Sequence, residues 1–459
     1  MTNGHYLIKN GAVITVDPEL GTLPQADVLI NDGVIEQVGE NISADGAEII
    51  DASDMIVMPG MIDSHYHMWS TLGRNFVSDG GFSYFPAKWA TGAHYEAEDY
   101  HNSVLLGLAE LADGGVTTVH NWAHNNRGPA HVDAELRAHR KSKLRARYSF
   151  GHRDRMPVDE VNSFDDLDRV QAEWFGDESH FNGLVHLGVN LRGKTQADER
   201  VFHEEMKDML RRGLPVSIHA SQAAPNSDNA AEHEKRGYLG PNFLICHYIM
   251  ATDEDRAAMA RTHTPLSFAT HSEMRLGFTG DPRSALMKAR AAGITVSLSS
   301  DASSIAPPNM FENMRVTWNL GIAWDGTDTE GMPFVGFCEA VEMATINGAI
   351  ALGLGDVTGS LTPGKRADVI LIRTNDLNIA PLANIETTVV QSATPANVDT
   401  VMVDGHLIKR GGRLLDLDVA KIVAKARESA LKVRNASGGI LTPVCDACGN
   451  PVIRSSPDD

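Results

Sequence analysis

Residues 59–67 read PGMIDSHYH. A proline–glycine turn opens the stretch, a short apolar run follows, and His65 and His67 close it at a spacing of two. On an extended strand that spacing points both imidazoles to one face, where they can share a metal ion or stand as two unrelated polar residues. The pair alone does not choose between these readings.

The chain downstream repeats the design. Short apolar runs occur at VTTVH (116–120), RARYSFG (145–151), LVHLGVN (184–190) and PVSIHA (215–220). Three more follow at FLICH (243–247), PLSFA (265–269) and ITVSLSSD (294–301). Helix-like segments such as EDYHNSVLLGLAELADGG and ERVFHEEMKDMLRRG separate them. Eight β-runs alternating with helices over residues 59–360 predict an α/β fold, a (β/α)8 TIM barrel. A doubly wound open sheet is the competitor, but no GxGxxG opens its first unit. Both ends of the chain have another texture, with β-rich runs and turns in HYLIKNGAVITV, DVLINDGVIEQVG, ADVILIRT and VDTVMVDGHLIKRGG. Residues 1–58 and 361–425 are therefore predicted to form one small β-sandwich built from both termini, with KNG and NDG as hairpin turns. A C-terminal helix and tail are expected over 426–459.

Composition narrows the partners. The 459 residues are 42% hydrophobic and 22% charged, as in an ordinary soluble globular protein. A formal net charge of −20 argues against nucleic acid and anionic membrane, which would repel the chain. No apolar run approaches the roughly 20 residues that span a bilayer. Of four cysteines, Cys246 and Cys338 sit in apolar segments and read as buried thiols, which suits a reducing cytoplasm. Cys445 and Cys448 form a lone CxxC in the tail, weak evidence for zinc or redox work and read as a short turn. A small-molecule substrate and a homo-oligomer, dimer or larger, are expected.

In a barrel, reactive groups gather at the C-terminal ends of strands. Those ends carry His65 and His67, His120, His152, Asn190 and Arg192, His219, His247, His271 and Glu273, and Asp301, so that all eight runs finish in a polar or titratable group. Three histidines and a carboxylate form a ligand set for Zn²⁺ or another borderline divalent ion, with a position left for water. The opening pair then reads as a ligand pair.

At this point VMPGMIDSHYH, SIHASQ, LICHYIMATDED, SLSSDASS and MATINGAIALGLGDVTGSLTPGKRADVILI resemble the amidohydrolase superfamily, most of all its cytosine deaminase and triazine chlorohydrolase branch. The resemblance implies one divalent metal per subunit, zinc first and iron, cobalt or manganese as alternatives, held by His65, His67, His219 and Asp301. It implies that His247 contacts the nucleophilic water or the substrate oxygen. Asp301 would also take the proton that water loses and pass it to a leaving nitrogen.

Three positions depart from that pattern. Asn190 stands where binuclear members carry a carboxylated lysine, so one metal is expected. Gln222 stands where deaminases of this branch place a proton-shuttling glutamate, and an amide cannot supply that proton. Asn121 replaces an aspartate. The loss at Gln222 shifts the expected reaction toward hydrolysis of a C–N bond in a small aromatic amide, carbamate or urea, akin to phenylurea or thiocarbamate hydrolases. Deamination or dechlorination of a purine, pyrimidine or triazine ring is the alternative. Glu273 is either a substitute acid or a bystander carboxylate. Between residues 69 and 89, Trp69, Phe76, Phe82, Tyr84, Phe85 and Trp89 exceed the chain's 6% aromatic average, which predicts an apolar lid over a flat substrate or else a satellite cluster. Asn190, His120, His271 and Gln222 complete the expected substrate wall, and Arg192 either orients a substrate carbonyl or pairs with an acid.

Overall fold

The computed structural model describes residues 4–75, 84–176, 180–194, 196–220, 229–276 and 280–438. Phe76, Phe82, Gln222, Cys445 and Cys448 lie outside the described residues.

Five strands open the chain: β1 (Tyr6–Ile14), β2 (Thr22–Asn31), β3 (Val34–Gly39), β4 (Glu48–Asp51) and β5 (Met55–Pro59). Eight parallel strands follow: β6 (Met61–Tyr66), β7 (Val116–Ala123), β8 (Arg145–Phe150), β9 (Val185–Leu191), β10 (Val216–Ala220), β11 (Phe243–His247), β12 (Leu266–Phe268) and β13 (Val296–Leu298). The eight predicted runs coincide with these strands within a few residues. They pair in sequence order from β6 to β13, and a parallel bridge between Tyr66 and Asp301 brings the last strand back to the first. The fold is an α/β barrel with helices between its strands.

The terminal sheet takes β14 (Val369–Arg373), β15 (Val398–Val403), β16 (His406–Arg410) and β17 (Arg413–Leu414) from the other end of the chain. Its order is β17-β16-β15-β14-β5-β1-β2-β3, with β4 beside β1. Strand β14 lies antiparallel to β5, with Leu371 opposite Val57, and both side chains are buried in a cluster that also holds Ile8, Val28, Ile30 and Met402. The last sheet strand ends at Leu414, and a helix runs over Val419–Ala436, so the C-terminal helix begins earlier than the predicted 426.

The two hairpin signals have different outcomes. Asp32 and Gly33 both have positive φ and join β2 to β3 in a two-residue turn. Lys9-Asn10-Gly11 makes no turn: β1 continues through it, Asn10 has φ +66, and the pairing with β2 shifts register there. A residue that favours the left-handed region serves a bulge as well as a turn. Cys246 is buried as expected, whereas Cys338 is exposed on the helix Phe337–Met343.

The sheet is fastened directly to the barrel's first strand. Only Gly60 separates β5 from β6, and a Cβ there would meet Thr117 Oγ1 at 2.1 Å, which leaves no room for another residue. Arg145 at the start of β8 adds a charged anchor. Its Nε donates to Asp368 at 2.7 Å and its guanidinium also reaches Asp404 at 3.0 Å, both carboxylates belonging to the terminal sheet's segments.

Candidate active site and metal centre

Barrel closure and the polar centre share the same atoms. The amide of Asp301 donates to the His65 carbonyl at 2.9 Å, and the amide of His67 donates to the Asp301 carbonyl at 2.7 Å. These bonds hold Asp301 at φ +59, in a region that non-glycine residues seldom occupy. His247 and Tyr248, at the end of β11, are held at φ +72 and +52. Such conformations cost on the order of 1–3 kcal/mol each and persist where the surroundings fix them.

The strand ends bring together His65, His67, His219, His247 and Asp301. The rings of His65 and His67 lie 4.6 Å apart, so the spacing of two does put both imidazoles on one side. His65 Nε2 is 3.2 Å from His219 Nε2 and 3.4 Å from Asp301 Oδ1, and His67 Nε2 is 3.1 Å from Asp301 Oδ1. Around a tetrahedral ion with bonds of about 2.0 Å, neighbouring donor atoms sit roughly 3.3 Å apart. The three separations match that edge length.

The electrostatics suit a cation as well. Burial pushes the His65 imidazole down to about 4, and burial also holds His67 and His219 well below their ordinary value. All three therefore present neutral nitrogen lone pairs. Burial alone would raise Asp301, but the His65, His67 and His247 imidazoles around it hold its carboxyl well below the usual range. Neutral imidazoles and an ionised carboxylate converging in a dry space form a donor set for one divalent metal, and His247 offers a further nitrogen close to Asp301 and His65.

His247 has its own support. Its Nδ1 lies 2.8 Å from Glu273 Oε1, and both side chains are buried. Burial would lower the His247 pKa, but Glu273 and Asp301 raise it on balance. Glu273 is thus the partner of His247 through Oε1, and its Oε2 is buried without a partner among the described residues.

Other expected substrate contacts also have partners within the protein. His120 uses Nδ1 on the Ser64 carbonyl and Nε2 on Ser149 Oγ, both at 2.8 Å. Asn190 donates to the Ser149 carbonyl at 2.7 Å. Arg192 pairs with Glu205 at 3.2 Å and donates to the carbonyls of Pro157 and Glu160, which is the acid-pairing alternative. His271 lies 3.7 Å from Glu312. Among the described residues Asn190 Oδ1, Arg192 Nε and His271 Nε2 are nevertheless buried without a hydrogen-bond partner.

The aromatic loop divides in two. Tyr84 and Phe85 line the cavity over His67, His219, His247 and Asp301. Trp69 is fully buried, stacks on Tyr100 and donates its indole N–H to His124 Nδ1 at 3.0 Å. Trp89 is 39% exposed, with the Arg155 guanidinium over its ring. Tyr84 and Phe85 thus line the cavity, whereas Trp69 belongs to a satellite apolar cluster.

Several lining residues lie outside the expected wall. Trp122, on β7, lies 4.1 Å from the His219 ring and forms the floor of the cavity. His124 continues past it, its Nδ1 3.1 Å from His67 Nδ1 and its Nε2 3.2 Å from Asp154 Oδ1. Lys88 completes the chain at 3.2 Å from Asp154 Oδ2. Burial would raise Asp154, but Lys88 and His124 hold its carboxyl far below the usual range. A histidine ligand oriented through its second nitrogen is a common way to fix a metal site. The available signal was polar residues just beyond strand ends, in WAHNN and GHRD.

The sequence profile of the amidohydrolase family matches residues 56–408. The chain belongs to the amidohydrolase family.

This amidohydrolase is 28% identical over 437 residues to the 5'-deoxyadenosine deaminase of Methanosarcina acetivorans, covering 92% of this chain and 97% of that one. It is 26% identical over 438 residues to the 5-methylthioadenosine/S-adenosylhomocysteine deaminase of Pyrococcus furiosus, covering 91% and 98%. Among solved structures, an adenosine deaminase from Xanthomonas campestris with bound zinc superimposes with a TM-score of 0.82 at 20% identity, covering 94% and 99%. The atrazine chlorohydrolase of Arthrobacter aurescens TC1 complexed with zinc gives 0.77 at 20% identity, covering 93% and 100%. The structural matches establish that the amidohydrolase shares their whole fold. Among the described residues no helix is long and apolar enough to cross a membrane.

Proposed function

We propose that this amidohydrolase is a zinc-dependent aminohydrolase that removes an exocyclic amino group from a purine-type ring of a nucleoside-like molecule. The observation that carries this reading is the end-to-end similarity to deaminases of 5'-deoxyadenosine and 5-methylthioadenosine. The cavity agrees in shape, because Tyr84, Phe85 and Trp122 offer aromatic walls for a flat ring over the donor cluster. Ring deamination therefore replaces amide or urea hydrolysis as the leading assignment.

Zinc, when bound by His65, His67, His219 and Asp301, supplies the Lewis acidity that lets water attack at neutral pH. Asp301 accepts the proton lost by the attacking water and delivers it to the departing nitrogen. His247, fixed through Nδ1 by Glu273, turns its other nitrogen to the oxygen that adds to the ring carbon and orients it. The aromatic walls orient the ring and limit entry of further water. A cytoplasmic location and a homo-oligomer belong to this proposal.

One residue favours a second reading. Gln222 cannot protonate a ring nitrogen, and an acyclic amide or urea makes no such demand. A substrate panel separates the two: ammonia released from adenosine or 5'-deoxyadenosine supports the first. Amine release from a phenylurea without ammonia from any purine overturns it.

A further inference from the structure

The opposite end of the barrel carries an open space that the chemistry above leaves unused. A cavity of about 640 Å³ lies below the N-terminal ends of β9, β10 and β11, within the roughly 300–1,000 Å³ range of small-molecule sites. Arg147, His186 and Asn242 supply its polar lining, and Trp174, Phe181 and Leu214 its apolar wall.

Arg147 is the unusual member. On β8, Ala146, Tyr148 and Phe150 pack into the main apolar core, so Arg145 and Arg147 take the other face, toward the barrel interior. Arg145 has Asp368 and Asp404. Arg147 is only 5% exposed, yet none of the described carboxylates pairs with it. Among the described residues a terminal nitrogen of Arg147 donates to the Leu352 carbonyl, and its Nε is buried without a partner. His186 Nε2 is likewise buried without a partner. Burial lowers Arg147 to about 10, which leaves it charged at neutral pH, and lowers His186 to about 4, which leaves it neutral and able to donate from one nitrogen. A buried cation without an anion is costly unless something else satisfies it. The Leu352 carbonyl, at the end of the short helix Ile346–Ala351, occupies one of five guanidinium N–H groups.

We propose that this cavity is a second ligand site that takes a small organic carboxylate with a flat apolar body, the carboxylate against Arg147 and the body against the stacked rings of Trp174 and Phe181. Those rings lie 5.9 Å apart at an interplanar angle of 25°, and both line the cavity. The volume is much larger than an inorganic anion needs, which points to a ligand with both parts.

The test is calorimetric titration of the metal-loaded enzyme with 1-naphthoate, its neutral analogue 1-naphthamide, and inorganic phosphate. Naphthoate is expected to bind the unaltered protein at least tenfold more tightly than either of the others. It should lose at least tenfold in Arg147→Met and in Leu214→Trp, while substrate turnover stays unchanged in both. Leu214 is only partly buried, so Leu214→Trp fills the cavity without touching Arg147 and carries the test if Arg147→Met does not fold. Equal binding to the unaltered protein and both variants would place naphthoate at the metal cluster and overturn the proposal. Absence of naphthoate binding to the unaltered protein, or phosphate binding as tight as naphthoate, would also overturn it.

Discussion

His247 Nδ1 and Glu273 Oε1 meet at 2.8 Å across the end of β11, with neither side chain open to solvent. Glu273 fixes which nitrogen of His247 can face the reacting atoms, and it does so without touching the metal donors. Glu273→Gln should lower kcat by about 10–100-fold, the usual cost of removing such a supporting carboxylate, with metal content unchanged. Steady-state kinetics and elemental analysis of the same preparation check both halves, and loss of metal would make Glu273 part of the ligand scaffold.

Metal stoichiometry is set by the donors. Asn190 spends its amide on the Ser149 carbonyl and offers no bridge, so one divalent ion per chain is expected. His219→Ala should abolish tight metal binding. Asp301→Asn should lower turnover by at least ~10²-fold, a typical size for a lost general base. His247→Ala should lower turnover and keep the metal; if the metal leaves, His247 is a ligand.

Arg192 and Glu205 form a buried pair, with side chains 2% and 1% exposed. Breaking one partner of such a pair strands the other, at a cost of roughly 3–5 kcal/mol. Arg192→Met should therefore lower the midpoint of urea unfolding and leave KM of the folded enzyme unchanged. A raised KM at unaltered stability would return Arg192 to the substrate.

Glu135 links stability to pH. Burial raises its carboxyl from 4.5 to about 8, while Asn121 Nδ2 donates to it at 2.8 Å. The folded chain thus holds a proton that the unfolded chain releases between these values. The resulting stability is complete below about pH 4.5 and is lost as pH rises through about 8. Glu135→Gln keeps an acceptor for Asn121 but does not titrate. Its Tm should exceed that of the unaltered protein at pH 8 and approach it at pH 5. Parallel melting curves would expose a different origin.

Gln222→Glu tests the proton demand of the ring. A carboxyl at that position should raise ammonia release from a purine nucleoside, measured as kcat/KM with ammonia and amine products assayed separately. A fall in activity on every purine, with retained action on a urea, would restore the acyclic reading.

The eight barrel strands were legible because each is a short apolar run with a polar terminus, a pattern local to the chain. The donor cluster was legible for the same reason, since His65, His67, His219 and Asp301 end such runs. His124 and Asp154 come from two loops and Lys88 from the helix Tyr84–Gly92, and they acquire meaning only through contacts between them. Arg192 was ambiguous because its partner sits on a helix 13 positions later, and nothing local shows which way a long side chain turns. Asn10 misled because a left-handed residue marks a bulge as readily as a turn.

The pairing of β5 with β14 also constrains how this chain can be made. As synthesis proceeds from the N-terminus, β1 to β5 emerge first, but β5 meets its outer neighbour only after the whole barrel has been translated. Until then the edge formed by Ile56, Val57 and Met58 has open backbone groups beside apolar side chains, a template for pairing with another chain. The entropy of closing so long a loop grows only slowly with length, by about 0.6 kcal/mol per doubling, so the late arrival of β14 costs time more than stability. A polypeptide that stops before Val369 keeps that edge open, and its expected fate is self-association.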